Sequence, residues 1–103
     1  MDDKIRQQIE KDIKNNKVFL YMKGTPESPM CGFSARTIQI LQKHKVPFKA
    51  FNIFDSEEIR QGIKEYADWP TIPQLYINGE FIGGCDIVTE LDQSGELEKL
   101  LQK

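Results

Sequence analysis

Cysteine is scarce in this chain. Cys31 and Cys85 are the only two, they lie far apart, and they form no CxxC pair. That is too few for a disulfide scaffold. A single histidine, His44, stands among lysines near an expected helix end and reads as a solvated surface residue. Two cysteines and one distant histidine do not make the set of four that a structural zinc site uses. No apolar run approaches the roughly 20 residues of a membrane span. Basic excess is also missing, because 14 Lys and Arg against 16 Asp and Glu leave a formal charge of −2. That balance argues against nucleic acid as the main partner, since phosphate binding normally needs a basic face. A local basic pocket for a small anion stays open. The first residues, Met1-Asp2-Asp3-Lys4, have no apolar signal core and are too acidic for a transit peptide. The expected location is the cytoplasm, or an organelle matrix if a presequence has been removed.

What is present suits one globular domain spanning residues 1–103, with 39% hydrophobic and 29% charged residues. Ile5, Ile9 and Ile13 recur every four residues and predict an N-terminal helix ending near Asn15-Asn16. Val18 to Met22 (VFLYM) is a continuous apolar run that reads as a buried strand. Gly24 to Met30 holds Gly24, Pro26 and Pro29 and is expected to be a loop. Ala35, Ile38 and Leu41 predict a helix from Cys31 to about Lys45, and Phe48 to Phe54 reads as a second strand. Asp55, with Glu58 three residues on, resembles a capping box opening a third helix, whose buried face is Ile59, Ile63, Tyr66 and Ala67. Trp69-Pro70-Thr71-Ile72-Pro73 breaks it. Asn78-Gly79 then marks a tight hairpin between Gln74–Ile77 and Glu80–Ile82. A helix from about Asp86 to Gln93 and a short one capped by Ser94 close the chain.

The order α-β-α-β-α-β-β-α-α fixes most of the topology. Two strands flanking a helix are parallel with a right-handed crossover, and the hairpin strands are antiparallel. The expected fold is therefore α/β and thioredoxin-like, a four-stranded mixed sheet flanked by helices.

Four motifs occur in sequence on these elements: Lys23-Gly24-Thr25-Pro26, Cys31-Gly32-Phe33-Ser34, Trp69-Pro70-Thr71-Ile72-Pro73 and Gly83-Gly84-Cys85-Asp86. Together they resemble the CGFS-type monothiol glutaredoxins, from about Ile5 to Leu101. The resemblance implies a glutathione site, a [2Fe–2S] cluster bridging a homodimer, and work with BolA-like proteins and iron-sulfur acceptor proteins. It implies a carrier or sensor with at most weak oxidoreductase activity. The alternatives are a glutathione-dependent thiol-disulfide oxidoreductase and an interaction module with an idle thiol. Relatives with this loop before CGFS are associated with cluster handling more than with disulfide reduction, so the resemblance implies the former.

Cys31 stands between a proline-rich loop and a helix start, where N–H groups and the helix dipole favour an anion. Its thiolate would be both nucleophile and soft metal ligand. A buried inert cysteine is the plainer alternative, against which Gly32 and the loop prolines argue. Ser34 occupies the place of a second cysteine in dithiol relatives and cannot resolve a mixed disulfide, so an external thiol is needed. It is expected to cap the helix or donate a hydrogen bond. For Pro73 the resemblance implies a cis peptide that brings the Thr71–Ile72 backbone opposite Cys31, where it could pair with an extended peptide; an ordinary turn proline is the alternative.

Lys23 and Arg60 match family positions that meet carboxylates, and Asp86 matches the one facing the γ-glutamyl end. Helix N–H groups near Cys85 and Asp86 can take the other carboxylate. Solvated charges, and Asp86 as a helix cap, are the plainer readings. Gly84 allows close backbone approach, so Cys85 lines the site or, less simply, is a redox partner of Cys31. Trp69 reads as packing, and Phe33 as cover for the thiol or a partner. A [2Fe–2S] centre takes about four thiolates. Two chains supply two through Cys31, and two glutathione thiolates complete the set.

Overall fold

The computed structural model describes residues 1–103. Strand β1 (Val18–Met22) runs through the middle of a sheet ordered β4-β1-β5-β6, with β4 (Lys49–Asn52), β5 (Gln74–Ile77) and β6 (Glu80–Gly83). It pairs parallel with β4 and antiparallel with β5, and β5 pairs antiparallel with β6. The mixed four-stranded sheet expected from the element order is present.

The unbroken apolar run of β1 follows from its position between two cores. Val18, Leu20 and Met22 face one layer with Ile38 and Leu41 of α2 (Gly32–Lys43), Val88 of α4 (Cys85–Ser94) and Leu97 of α5 (Glu96–Gln102). Phe19 and Tyr21 face the other, with Ile9 and Ile13 of α1 (Asp3–Asn15) and Ile59 and Ile63 of α3 (Glu57–Ala67). Alternate side chains of a strand point to opposite faces, so a strand covered on both sides needs apolar residues throughout.

Several local expectations shift. The Gly24–Met30 segment is a two-stranded ribbon, β2 (Gly24–Thr25) against β3 (Ser28–Pro29), not an unpaired loop. The Met30 N–H donates to the Lys23 carbonyl at 2.9 Å and closes it. Gly24 has φ +89, and a Cβ there would lie 2.5 Å from the Ser28 carbonyl oxygen, so the ribbon requires glycine. β4 ends at Asn52, whose side chain accepts from the Phe54 N–H and turns Ile53–Asp55 into a short 3-10 turn. Ser56 rather than Asp55 caps α3, accepting from the Ile59 N–H at 3.2 Å, so the expected capping box with Glu58 does not form. Ser94 is the last residue of α4, and Gly95, with φ +84, stands between α4 and α5. The Ser94 hydroxyl still accepts from the Glu96 N–H.

His44 also departs from its expected solvated role. It is half-buried, and its Nε2 lies 2.6 Å from Asp92 Oδ1 on α4. Lys43 Nζ lies 2.5 Å from the other carboxylate oxygen. Hydrogen bonds from Lys43 and then His44 hold the Asp92 carboxyl below its usual range. A carboxyl lowered by folding stabilises above its unfolded value, and that stabilisation disappears as pH falls through its folded value. Asp92→Asn should therefore lower the melting temperature at pH 7 by ~5 °C, for a loss of about 1 kcal/mol. The difference from the parent should close as pH falls below the ordinary carboxylate range. Thermal melts from pH 7 to strongly acid conditions check this, and a gap independent of pH would refute the electrostatic origin.

Candidate functional site

Three backbone segments meet at the end of β1. The Lys23 N–H donates to Ser34 Oγ at 3.1 Å, and the Gly24 N–H donates to Asn52 Oδ1 at 3.0 Å. Ser34, fully buried, thus fastens the first turn of α2 to the end of the central strand. This is its structural role; it does not cap α2, whose N-cap residue is Cys31, with no side-chain capping bond.

Cys31 is partly exposed and unbridged. The nearby Ser34 N–H is the main cause holding its thiol below the ordinary range. Partial burial opposes the shift, while the Phe33 N–H, the Lys23 charge and the Ser34 hydroxyl reinforce it. The sulfur is therefore biased toward thiolate by the start of a helix and one cation. Met30 and Phe33 on either side are exposed, at 66% and 61%.

Beside Cys31 a groove of about 400 Å³ opens between α3, the Trp69–Pro73 segment and the start of α4. Its walls bring together Lys23, Arg60, Thr71, Ile72, Pro73, Gly84, Cys85 and Asp86. Cys31 is not itself on the wall; its neighbours Lys23 and Phe33 are. The Ile72–Pro73 peptide is cis. A Cβ on Gly84 would stand 3.3 Å from the Pro73 carbonyl oxygen and 3.4 Å from Trp69 Nε1, so glycine lets these two walls approach. Cys85 is buried in the first turn of α4, with its sulfur 4.0 Å from Thr89 Oγ1.

Lys64, also on the wall, was not singled out in the sequence. Its signal was the four-residue spacing from Arg60, which puts both cations on one face of α3. Trp69 is more than packing. Its ring lies 5.7 Å from that of Phe81, yet it also lines the groove. The groove thus carries Lys23, Arg60 and Lys64 against one carboxylate, Asp86. Two of its donors, Arg60 Nε and Trp69 Nε1, are buried with no partner. A buried donor left unpaired is costly, so these atoms suit a ligand bearing acceptors.

This sheet order, with a cysteine at the head of α2 and a groove beside it, defines a thioredoxin-like protein. A sequence model described as Glutaredoxin matches residues 18–82. The chain is 58% identical over 94 residues to probable monothiol glutaredoxin 2 of Rickettsia felis, covering 91% of this chain and 90% of that protein. It is 52% identical over 101 residues to the mitochondrial monothiol glutaredoxin-5 of Schizosaccharomyces pombe, covering 95% of this chain and 69% of that protein. The solution structure of reduced poplar apo GrxS14 superposes with a TM-score of 0.83 at 48% identity, over 96% of this chain and 94% of that one. The chain belongs to the glutaredoxin family, within its monothiol members.

The lowered Cys31 thiol yields a direct expectation. In a Cys85→Ser background, the rate of alkylation by iodoacetamide should reach half its plateau at a pH below that of an unperturbed thiol. Lys23→Ala should move this midpoint upward, because it removes a positive charge that favours the thiolate. A midpoint at the ordinary thiol value in the Lys23-containing protein would contradict it.

Proposed function

We propose that this chain binds glutathione in the groove beside Cys31. Two chains and two glutathione molecules then together hold a bridging [2Fe–2S] cluster for transfer or for iron and redox sensing. The observation that carries the reading is the pair of unpartnered buried donors, Arg60 Nε and Trp69 Nε1, in a cationic groove beside a thiol biased toward thiolate. Glutathione offers two carboxylates and one ammonium group. Lys23 and Arg60, joined by Lys64, are matched to the carboxylates, and Asp86 to the ammonium of the γ-glutamyl end. The Thr71-Ile72-Pro73 backbone is suited to pair with the extended tripeptide. Gly84 and Cys85 complete the opposite wall, where the first N–H groups of α4 favour the second carboxylate. Bound there, glutathione supplies a second thiol next to Cys31.

No three of His, Cys, Asp and Glu converge within one chain. Cys31 provides one thiolate ligand per chain, so a four-thiolate cluster requires a second chain and two external thiols. A ligand that is not part of the protein exchanges readily, which suits release to acceptor proteins. BolA-like proteins are the proposed regulatory partners, and the cytoplasm or an organelle matrix the proposed location. The structure has no helix long and apolar enough to cross a membrane.

The exposure of Phe33 and the lowered Cys31 thiol also favour a second reading. In it the Cys31 thiolate attacks a protein–glutathione mixed disulfide and takes the glutathionyl group, while the protein thiolate leaves. An external glutathione thiolate then attacks the Cys31–glutathione disulfide, giving oxidised glutathione and free Cys31.

Anaerobic reconstitution with iron, sulfide and glutathione separates these readings. The carrier reading expects a coloured dimer that is lost in Cys31→Ser, kept in Cys85→Ser, and dispersed when glutathione is removed. Brisk turnover on a glutathione mixed disulfide without bound iron would favour the oxidoreductase. Loss of the cluster in Cys85→Ser would replace the glutathione ligands by an all-protein set.

A further inference from the structure

A buried polar chain lies behind the groove, and the function described above makes no use of it. Gln74, the first residue of β5, is completely buried. Its Nε2 donates to the Trp69 carbonyl at 3.1 Å and, more weakly, to the Thr71 carbonyl at 3.4 Å. Its Oε1 accepts from the Tyr76 hydroxyl at 3.0 Å. The orientation of the amide is fixed, because reversing it would set an oxygen against two carbonyl oxygens.

We infer that Gln74 is a positioning residue for ligand binding, drawing the Thr71 carbonyl inward so that the Ile72 N–H faces the groove as a free donor. The reason is the planarity of the peptide unit. In the trans Thr71–Ile72 peptide the carbonyl and the N–H point in opposite directions, so holding one inward aims the other outward. The Ile72 N–H has no backbone partner, and Ile72 lies on the groove wall. The bond to Trp69 carries no such consequence, because the next residue, Pro70, has no N–H. It serves as a second anchor. Apart from the Trp69 N–H, which donates to the Lys64 carbonyl of α3 at 3.0 Å, the Trp69–Ile72 segment has no backbone bonds to helix or strand, so a side chain from β5 supplies what secondary structure does not. Tyr76 occupies the Gln74 oxygen, and its ring is held edge-on against Tyr21 at 5.8 Å.

This inference rests on the proposed glutathione ligand, whose cysteinyl carbonyl, being the one next to the thiol that would stand beside Cys31, is the acceptor assigned to Ile72. Calorimetry of Gln74→Met, which keeps the length and loses the amide, should show binding about tenfold weaker with the fold retained. The decisive comparison uses a glutathione analogue with sulfur in place of the cysteinyl carbonyl oxygen, a poorer acceptor. The parent protein should prefer glutathione several-fold, and Gln74→Met should lose that preference. A structural defect alone would weaken both ligands equally and overturn the inference, as would unchanged binding. Tyr76→Phe, which leaves the amide in place but frees its oxygen, should give an intermediate effect if Gln74→Met does not fold.

Relaxation measurements on the ligand-free proteins keep the two readings apart. Residues Thr71 and Ile72 should lose order in the Gln74 variant, or in Tyr76→Phe if only that one folds, while β5 and β6 do not. If the parent fails to bind glutathione, the glutathione reading falls. An equally ordered segment in the variant overturns the positioning role whatever binds.

Discussion

The end of the central strand is tied to the start of the helix that carries Cys31. One hydroxyl does most of this. Ser34 Oγ receives the Lys23 N–H, and the Lys23 carbonyl receives the Met30 N–H across the ribbon between them. Asn52 holds the next residue, Gly24, from the far side. A buried hydroxyl cannot seek water, so its bond is made inside the protein or not at all. Through this bracket the rigid sheet sets where Cys31 sits relative to Lys23. The charge of Lys23 and the N–H groups of α2 then act on a sulfur held in place.

The groove beside it concentrates unmet polar capacity. Buried donors without partners are rare in folded proteins because each costs about 1–3 kcal/mol. Two of them, Arg60 Nε and Trp69 Nε1, share one concave surface with two further cations. The rest of the molecule balances that cost with a two-layered core on either side of β1. Ligand binding is favoured when it satisfies atoms already placed and already desolvated, because little ordering is left to be done. The backbone wall at Thr71 and Ile72 is held by the same logic, from a side chain buried behind it.

Much of the architecture was legible in the chain because it depends on local patterning. VFLYM announced a strand covered on both faces, and Asn78-Gly79 announced the hairpin; both are present. The isoleucine stripe of α1 followed from periodicity, and the parallel first pair and the antiparallel hairpin of a mixed sheet followed from the geometry of connections. The misplacements share a cause. Asn52 ends β4 early because its side chain binds the turn it starts, and Ser56 outcompetes Asp55 as a cap through that same turn. His44 looked solvated because its partner, Asp92, lies far along the chain. The ribbon at Gly24 was hidden by prolines that read as breakers, although β3 ends on one of them.

For the site the division is similar. Motifs and the family resemblance they carry named Cys31, Lys23, Arg60, Thr71, Ile72, Pro73, Gly84, Cys85 and Asp86. By itself the sequence determined the order of elements, the strand directions within the two connected pairs, the one-cysteine motif and the ionic character of the residues around it, since composition and spacing suffice for those. Only the tertiary structure decided that three cations and two unpaired donors line one groove, that Lys64 belongs with them, and that Ser34 and Gln74 are brackets rather than spare polar residues. The reason is physical. A hydrogen bond between residues distant in the chain depends on directions and distances that exist only after the layers have packed, and no local pattern encodes them.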